Sequence, residues 1–257
     1  MKRATFRFYG ELNEFLPPPR RQHPLSFPLN DRTSVKHPIE SMGVPHTEVE
    51  LILANSRPVD FTYLLQPGDY VSVYPPFHNL DISPLPALRP PLAPPVRFLL
   101  DVHLGRLATY LRLLGFDALY RNDYDDEELA DLAAESGRVL LSRDRRLLMR
   151  KQVTYGQCLR TRDPRAQLEA VLRRFDLYAQ IDPWQRCLAC NGPLRPVPKE
   201  EVLHRLEPKT KRFYDEFHIC EDCGKVYWKG SHYPRMRRFI ARVRASKARA
   251  TRDGHDR

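Results

Sequence analysis

Phe98-Leu99-Leu100-Asp101 and Val139-Leu140-Leu141-Ser142-Arg143-Asp144 are the stretches on which the fold turns. Each is a short apolar run that ends at or near an aspartate, and a third acidic cluster, Asp123 to Glu128, lies between them. Leu104, Leu107, Ala108, Leu111 and Leu114 follow the first run at helical spacing, and Gly115 is a natural stop. Phe116 to Tyr120 reads as a second strand. Asp125 or Asp126 then caps a helix carrying Leu129, Leu132 and Ala133, which ends at Gly137. Val139 to Leu141 is a third strand, and a short basic helix follows around Arg145 to Arg150. Val153 to Leu159 is a fourth strand, and Pro164 to Phe175 a further helix with Asp163 as its cap. Strands separated by helices imply an α/β unit with a parallel sheet and right-handed crossovers. Ligands of such sheets bind beyond the carboxyl ends of the strands, where aspartates can gather around a hard cation such as Mg²⁺ or Mn²⁺. The expectation is a metal-dependent nuclease core in which Asp101 and Asp144 hold the cation together with Asp126 or one of its acidic neighbours Asp123, Asp125 and Glu127. Arg106, Arg143 and Arg145 flank these acids, and guanidinium groups grip phosphate oxygens with paired donors.

The N-terminal sequence is organised differently. Ala4 to Tyr9 alternates, with Phe6 and Phe8 on one face and Arg7 and Tyr9 on the other. Val49 to Ala54 and Tyr70 to Tyr74 are further strand candidates, and Asn55 to Pro58 and Gln66 to Asp69 have turn chemistry. Ser34 to Met42 is a short helix at best. This order fits a β-grasp domain over residues 1–77. Eight of the chain's 24 prolines fall in residues 75–95, so residues 78–95 read as an extended, semi-rigid linker.

After the α/β segment the composition shifts again. Cys187-Leu188-Ala189-Cys190 and Cys220-Glu221-Asp222-Cys223 flank 29 residues. Two C-x-x-C pairs supply four thiolates for a closed, structural zinc site with Cys187, Cys190, Cys220 and Cys223 as ligands. Lys199 to Phe217 reads as an inserted, partly helical loop, and the remaining cysteine, Cys158, as buried. Behind the second pair, Tyr227-Trp228-Lys229-Gly230-Ser231-His232-Tyr233 mixes aromatics with cations. Lys229 and His232 are candidate RNA contacts, and Tyr227 and Trp228 are expected to pack the ribbon.

Charge follows this division. Residues 1–95 hold nine Lys/Arg and nine Asp/Glu, whereas residues 225–257 hold eleven Lys/Arg against two Asp, within a formal net charge of +10. A basic surface concentrated at one end of the chain suits a polyanion such as RNA, because Lys and Arg displace counterions from phosphates. No apolar run approaches the length that spans a bilayer, and the first residues lack the apolar core of a secretory signal. With cysteines spaced for metal rather than disulfides, the expected location is the cytoplasm.

Two resemblances sharpen this reading. "LILANSRPVDFTYLLQPGDYVSVYPPF" resembles the second half of ubiquitin-like sulfur-carrier domains, yet the chain runs on through Tyr74-Pro75-Pro76-Phe77 without their terminal Gly-Gly. A carrier role is therefore not expected, and a protein partner at this domain fits better. "FLLDVHLGRLATYLRLLGFDALYRNDYDDEELADLAAESGRVLLSRDRRLL", with the two cysteine pairs and "VYWKGSHYPRM", closely resembles the PIN-like RNase family named after the C-terminal region of the Mut-seven exonuclease. That resemblance implies a three-layer α/β/α nuclease core over residues 96–182, a zinc ribbon over 183–240 and a basic tail over 241–257. It also implies acidic residues holding Mg²⁺ or Mn²⁺, carried onto Asp101, Asp126 and Asp144, with Asp163 the one weak candidate for a fourth. The rival expectation is a non-catalytic RNA-binding adaptor that works through the ribbon and tail.

Overall fold

The structure is a computed structural model that describes residues 2–30, 32–77, 81–82 and 84–253. Parts of the expected linker (78–80 and 83) and the last four residues of the basic tail lie outside the described residues. In chain order the strands and helices are β1 (Arg3–Phe8), β2 (Leu25–Pro28), α1 (Lys36–Ser41), β3 (Leu51–Ala54), β4 (Arg57–Pro58) and β5 (Tyr70–Tyr74). There follow β6 (Phe98–Leu100), α2 (Gly105–Leu113), β7 (Ala118–Tyr120), α3 (Asp126–Ser136), β8 (Val139–Ser142), α4 (Arg145–Leu148), β9 (Gly156–Cys158) and α5 (Pro164–Arg174). The last are β10 (Leu194–Val197), α6 (Lys199–Val202), α7 (Pro208–Phe213), β11 (Phe217–Cys220), β12 (Val226–Trp228) and α8 (Tyr233–Asp253). The chain is a mixed α/β protein with an N-terminal β-sheet domain, parallel strands joined by helices, and a four-cysteine ribbon. It divides into two compact units, one of residues up to Val96 with Tyr124–Arg160, the other of Arg97–Asp123 with Thr161 onward.

In the first unit, the five N-terminal strands form one sheet in the order β2-β1-β5-β3-β4. β1 and β5 are parallel, and the other neighbours are antiparallel. This is the β-grasp expected from the sequence. Alternation decides its faces: Ala4, Phe6 and Phe8 of β1 and Val71 and Val73 of β5 are buried together with Ile39 of α1 and Ile52 of β3. Asp69 fixes the turn into β5 by accepting from Gln66 N at 2.7 Å, Asn55 Nδ2 at 2.8 Å and Tyr63 Oη at 3.1 Å.

The same unit contains the β8-α4-β9 crossover, in which Leu140, Leu141 and Ser142 pair in parallel with Gly156, Gln157 and Cys158. The β-grasp packs directly on it. His46 Nε2 lies 2.7 Å from Val153 O, Glu48 Oε1 accepts from Cys158 N at 2.5 Å, and Arg160 Nη1 donates to Glu11 O at 3.1 Å. Gly156 permits the close approach, since a Cβ there would meet Leu148 Cδ2 at 2.7 Å and Thr47 Cγ2 at 3.3 Å. Arg89, in the proline-rich stretch, donates to the carbonyls of Thr47 at 3.1 Å and of Val49, and Tyr155 Oη donates to Pro90 O at 3.0 Å. The described part of this linker is thus tied along the unit by specific hydrogen bonds.

In the second unit, β6-α2-β7 is another parallel crossover, with Phe98 facing Ala118 and Leu100 facing Tyr120. Leu107, Ala108, Leu111 and Leu114 are buried as their spacing demands. The ribbon is a three-stranded antiparallel sheet in the order β10-β11-β12. α6 and α7 occupy the inserted loop, and Val202 and Leu206 from it close a small core over Val197 and Phe217. No helix among the described residues is long and apolar enough to cross a membrane.

Candidate functional site

The ribbon gathers four sulfurs. The first pair sits in a tight turn held by Cys187 N donating to Gly192 O at 2.8 Å, and the second in a turn held by Cys220 N donating to Lys225 O at 2.9 Å. Asn191 and Gly224 take positive φ, 78° and 69°, to complete these turns. Cys187 and Cys223 Sγ lie 3.7 Å apart, Cys190 and Cys220 Sγ 3.4 Å, and all four within 4.8 Å of one another. Four ligands at Zn–S bonds of about 2.3 Å in a tetrahedron require S–S edges of about 3.8 Å, so the set fits a metal such as zinc. Burial opposes ionisation of Cys187, but the Tyr227 hydroxyl, 3.1 Å away, and nearby backbone N–H groups bring its thiol down to about 6. Burial pushes Cys190 up to about 12 and raises Cys220. A bound cation is what would let all four ionise together.

Arg112 locks this centre to the α/β segment of its own unit. It is a buried guanidinium on α2, with Nε donating to Ala118 O at 2.9 Å and Nη1 to Leu188 O and Ala189 O at 3.3 and 2.9 Å. Desolvation lowers its pKa, and Cys190, Cys187 and Asp117 oppose that shift. A cationic side chain beside a thiolate cluster offsets the cluster's excess negative charge. Asn191 adds a second tie: its Oδ1 accepts from Ala118 N at 2.8 Å and its Nδ2 donates to Asp117 Oδ1 at 2.7 Å. Neither residue stands out in the sequence. Arg112 follows Ala108 at i+4 on the apolar stripe of α2, and that buried position is its one available signal.

The expected acidic residues stand at strand ends and helix starts. Asp101 follows β6, is only 6% exposed, and makes no side-chain cap to the 3₁₀ turn behind it, whose closure is the backbone bond from Leu104 N to Asp101 O. Asp125, not Asp126, caps α3. Its Oδ1 accepts from Glu127 N and Glu128 N, both at 2.8 Å, while Glu128 reaches back to Asp125 N at 3.1 Å. Asp126 is thereby left as an exposed first helical residue. Asp144 is the N-cap of α4, with Oδ1 accepting from Arg146 N at 2.7 Å. Asp163 caps α5 with both oxygens, from Arg165 N at 3.2 Å and Ala166 N at 3.3 Å. Capping therefore occupies Asp163 fully, Asp144 through one oxygen, and Asp101 and Asp126 not at all.

Among the expected phosphate-binding cations, Arg106 and Arg143 are exposed. Arg145 faces the β-grasp instead, donating from Nη1 to Phe15 O at 2.9 Å with its guanidinium 5.0 Å above the Phe15 ring. Lys229 is ion-paired with Glu216, which raises its pKa. His232 is exposed at the start of α8, where its carbonyl accepts from Met236 N at 3.1 Å.

Two family models match the chain: the Mut7-C RNAse domain over residues 96–240 and the Mut7-C ubiquitin domain over residues 1–81. No curated protein and no solved structure matches it.

Proposed function

The chain belongs to the Mut7-C RNAse family, and from that membership we propose that it is a divalent-metal-dependent ribonuclease acting on phosphodiester bonds of single-stranded RNA. Asp101, Asp126 and Asp144 would hold Mg²⁺ or Mn²⁺, and Cys187, Cys190, Cys220 and Cys223 a structural zinc. The observation that carries this reading is the placement of Asp101. Its carboxylate is kept 6% exposed just beyond the end of a parallel strand and does not cap the turn behind it. That is where ligands of such sheets bind. Asp126 is exposed at the start of α3, and its neighbour Asp125, not Asp126, performs the capping there.

The cation supplies activation of a water and stabilisation of charge developing on the phosphate. The protein's own side chains do the rest. Arg106 and Arg143, exposed beside the proposed ligands in sequence, would orient phosphate oxygens through paired N–H donors. α8 carries Arg235, Arg237, Arg238, Arg242 and Arg244 without an acid before Asp253, and would hold the rest of the RNA backbone by long-range attraction. We set the domain limits at a β-grasp to residue 77, a nuclease core over 96–182, the ribbon to 240 and a basic tail. We place the protein in the cytoplasm, where free thiolates for zinc persist. The β-grasp engages the β8-α4-β9 crossover of its own chain, and any protein partner would use its remaining surface.

The test is cleavage of an end-labelled single-stranded RNA by the zinc-loaded protein with Mg²⁺ or Mn²⁺ added. Cutting that needs the added metal and is lost in Asp101→Asn supports the reading. Tight RNA binding with no cutting under any divalent metal favours the adaptor.

A further inference from the structure

Beside the ribbon lies a cleft of about 410 Å³, within the roughly 300–1,000 Å³ of ligand pockets. Trp184 and Tyr233 form one wall, their rings 5.0 Å apart and tilted by 35°. Tyr227 and His218, paired on one face of the ribbon sheet, form another part of the cleft, and Leu113 and Met236 add apolar lining. Arg186, Glu216 and Lys229 stand among the polar lining. We propose that this cleft is a stacking pocket for an unpaired nucleobase of single-stranded RNA, with Trp184 as its platform.

Two observations separate this from ordinary core packing. Trp184 and Tyr233 are half-buried, not enclosed. Trp184 takes φ 71°, a conformation that bulky L residues rarely adopt and that places its ring in the cleft wall. The cations select the class of occupant. Arg237 lies 6.0 Å over the Tyr233 ring, and exposed Arg235 and Arg238 continue along α8. An aromatic slot edged by an arginine-rich helix matches a base attached to a phosphate chain, in which every anionic group carries a flat ring, better than an acidic peptide, whose carboxylates carry none.

This inference rests on RNA being the ligand but not on its being cut, and the experiment separates the two. The chain has two tryptophans; the Trp184 ring stands in the cleft beside Tyr233 and the Trp228 ring beside Phe217, so intrinsic fluorescence reports on the cleft once Trp228→Phe has removed the second indole. The full-length, zinc-loaded Asp101→Asn/Asp144→Asn/Trp228→Phe protein is titrated with a short single-stranded oligoribonucleotide and with an abasic oligonucleotide of equal charge. Indole quenching is expected with the first and none with the second. Trp184→Ala should weaken binding about 5- to 150-fold by losing one stacked base. Trp184→Phe, which keeps an aromatic face and guards against a merely misfolded ribbon, should retain most of it at unchanged zinc content. RNA binding without quenching, equal quenching by the abasic chain, or displacement by an acidic peptide overturns the pocket while leaving the nuclease reading intact. Absence of both RNA binding and metal-dependent cleavage overturns both.

Discussion

Asp125 and Asp126 are adjacent, chemically identical and assigned different work. Asp125 receives two backbone N–H bonds at the start of α3, so Asp125→Ala should lower stability by about 1 kcal/mol and leave cleavage largely intact. Asp126→Asn should do the reverse, abolishing metal-dependent cleavage at unchanged stability. Denaturant unfolding and RNA cleavage on both variants check the pair, and swapped phenotypes would reassign the acids. Cys158 offers a second residue-scale outcome. Burial, with the Glu48 charge beside it, pushes its thiol up to about 11 from the ordinary 9. The fold thus favours the neutral thiol, so this contribution to stability is complete below pH 9 and is lost as pH rises from 9 towards 11. Replacing Cys158 by alanine should flatten that alkaline loss relative to wild type in unfolding measured across the interval. An unchanged slope would show that the thiol is not buried as described.

At the scale of elements, the four-cysteine cluster, which could hold a metal such as zinc, organises the ribbon. Among the described residues its core is Val197, Val202, Leu206 and Phe217 with the partly buried Tyr214, Ile219 and Val226 against them, little apolar burial with which to hold three short strands unaided. Stripping the metal with a chelator should therefore collapse the near-ultraviolet signal of Trp184 and Trp228, and one equivalent of zinc should restore it. Metal analysis finding no zinc in protein purified without chelator would contradict the ribbon assignment. The long periodic helices α2, α3 and α5 and the strands β6 and β8 are legible in the sequence because burial follows their apolar spacing. β2 and β4 are not. β2 alternates only Leu25 and Phe27 inside proline-bearing sequence, and β4 is two residues ending at Pro58. Both lie at sheet edges, where pairing with a distant strand, not local pattern, makes the strand. Among the acidic residues, spacing points to candidates but does not say which of Asp125 and Asp126 is a cap. That distinction depends on backbone N–H directions that no spacing rule contains.

For the molecule as a whole, the β-grasp is built into the fold of the β8-α4-β9 crossover. His46, Glu48, Arg89 and Arg145 tie it to Val153, Cys158, Thr154 and back to Phe15 within one compact unit. None of these contacts is visible in the sequence, because they join residues far apart along the chain and involve polar side chains that look surface-bound. A chain beginning at Arg97 should accordingly be insoluble or partly unfolded, and the intact chain should not show a separate melting step for residues 2–77. Glu48→Ala alone, which removes the acceptor of the buried Cys158 N–H, should cost about 1–3 kcal/mol. A soluble, fully folded fragment from Arg97 onward would show that the two parts are independent.

The central claim, a carboxylate-held divalent metal cutting RNA, is tested most directly by one time course. Labelled single-stranded RNA is incubated with wild type and with Asp101→Asn/Asp144→Asn, each zinc-loaded, at matched Mn²⁺ or Mg²⁺. Wild type should cleave only with the added metal, and the double variant should lose cleavage while retaining RNA binding. Equal cleavage by the two proteins would contradict a metal held by these carboxylates.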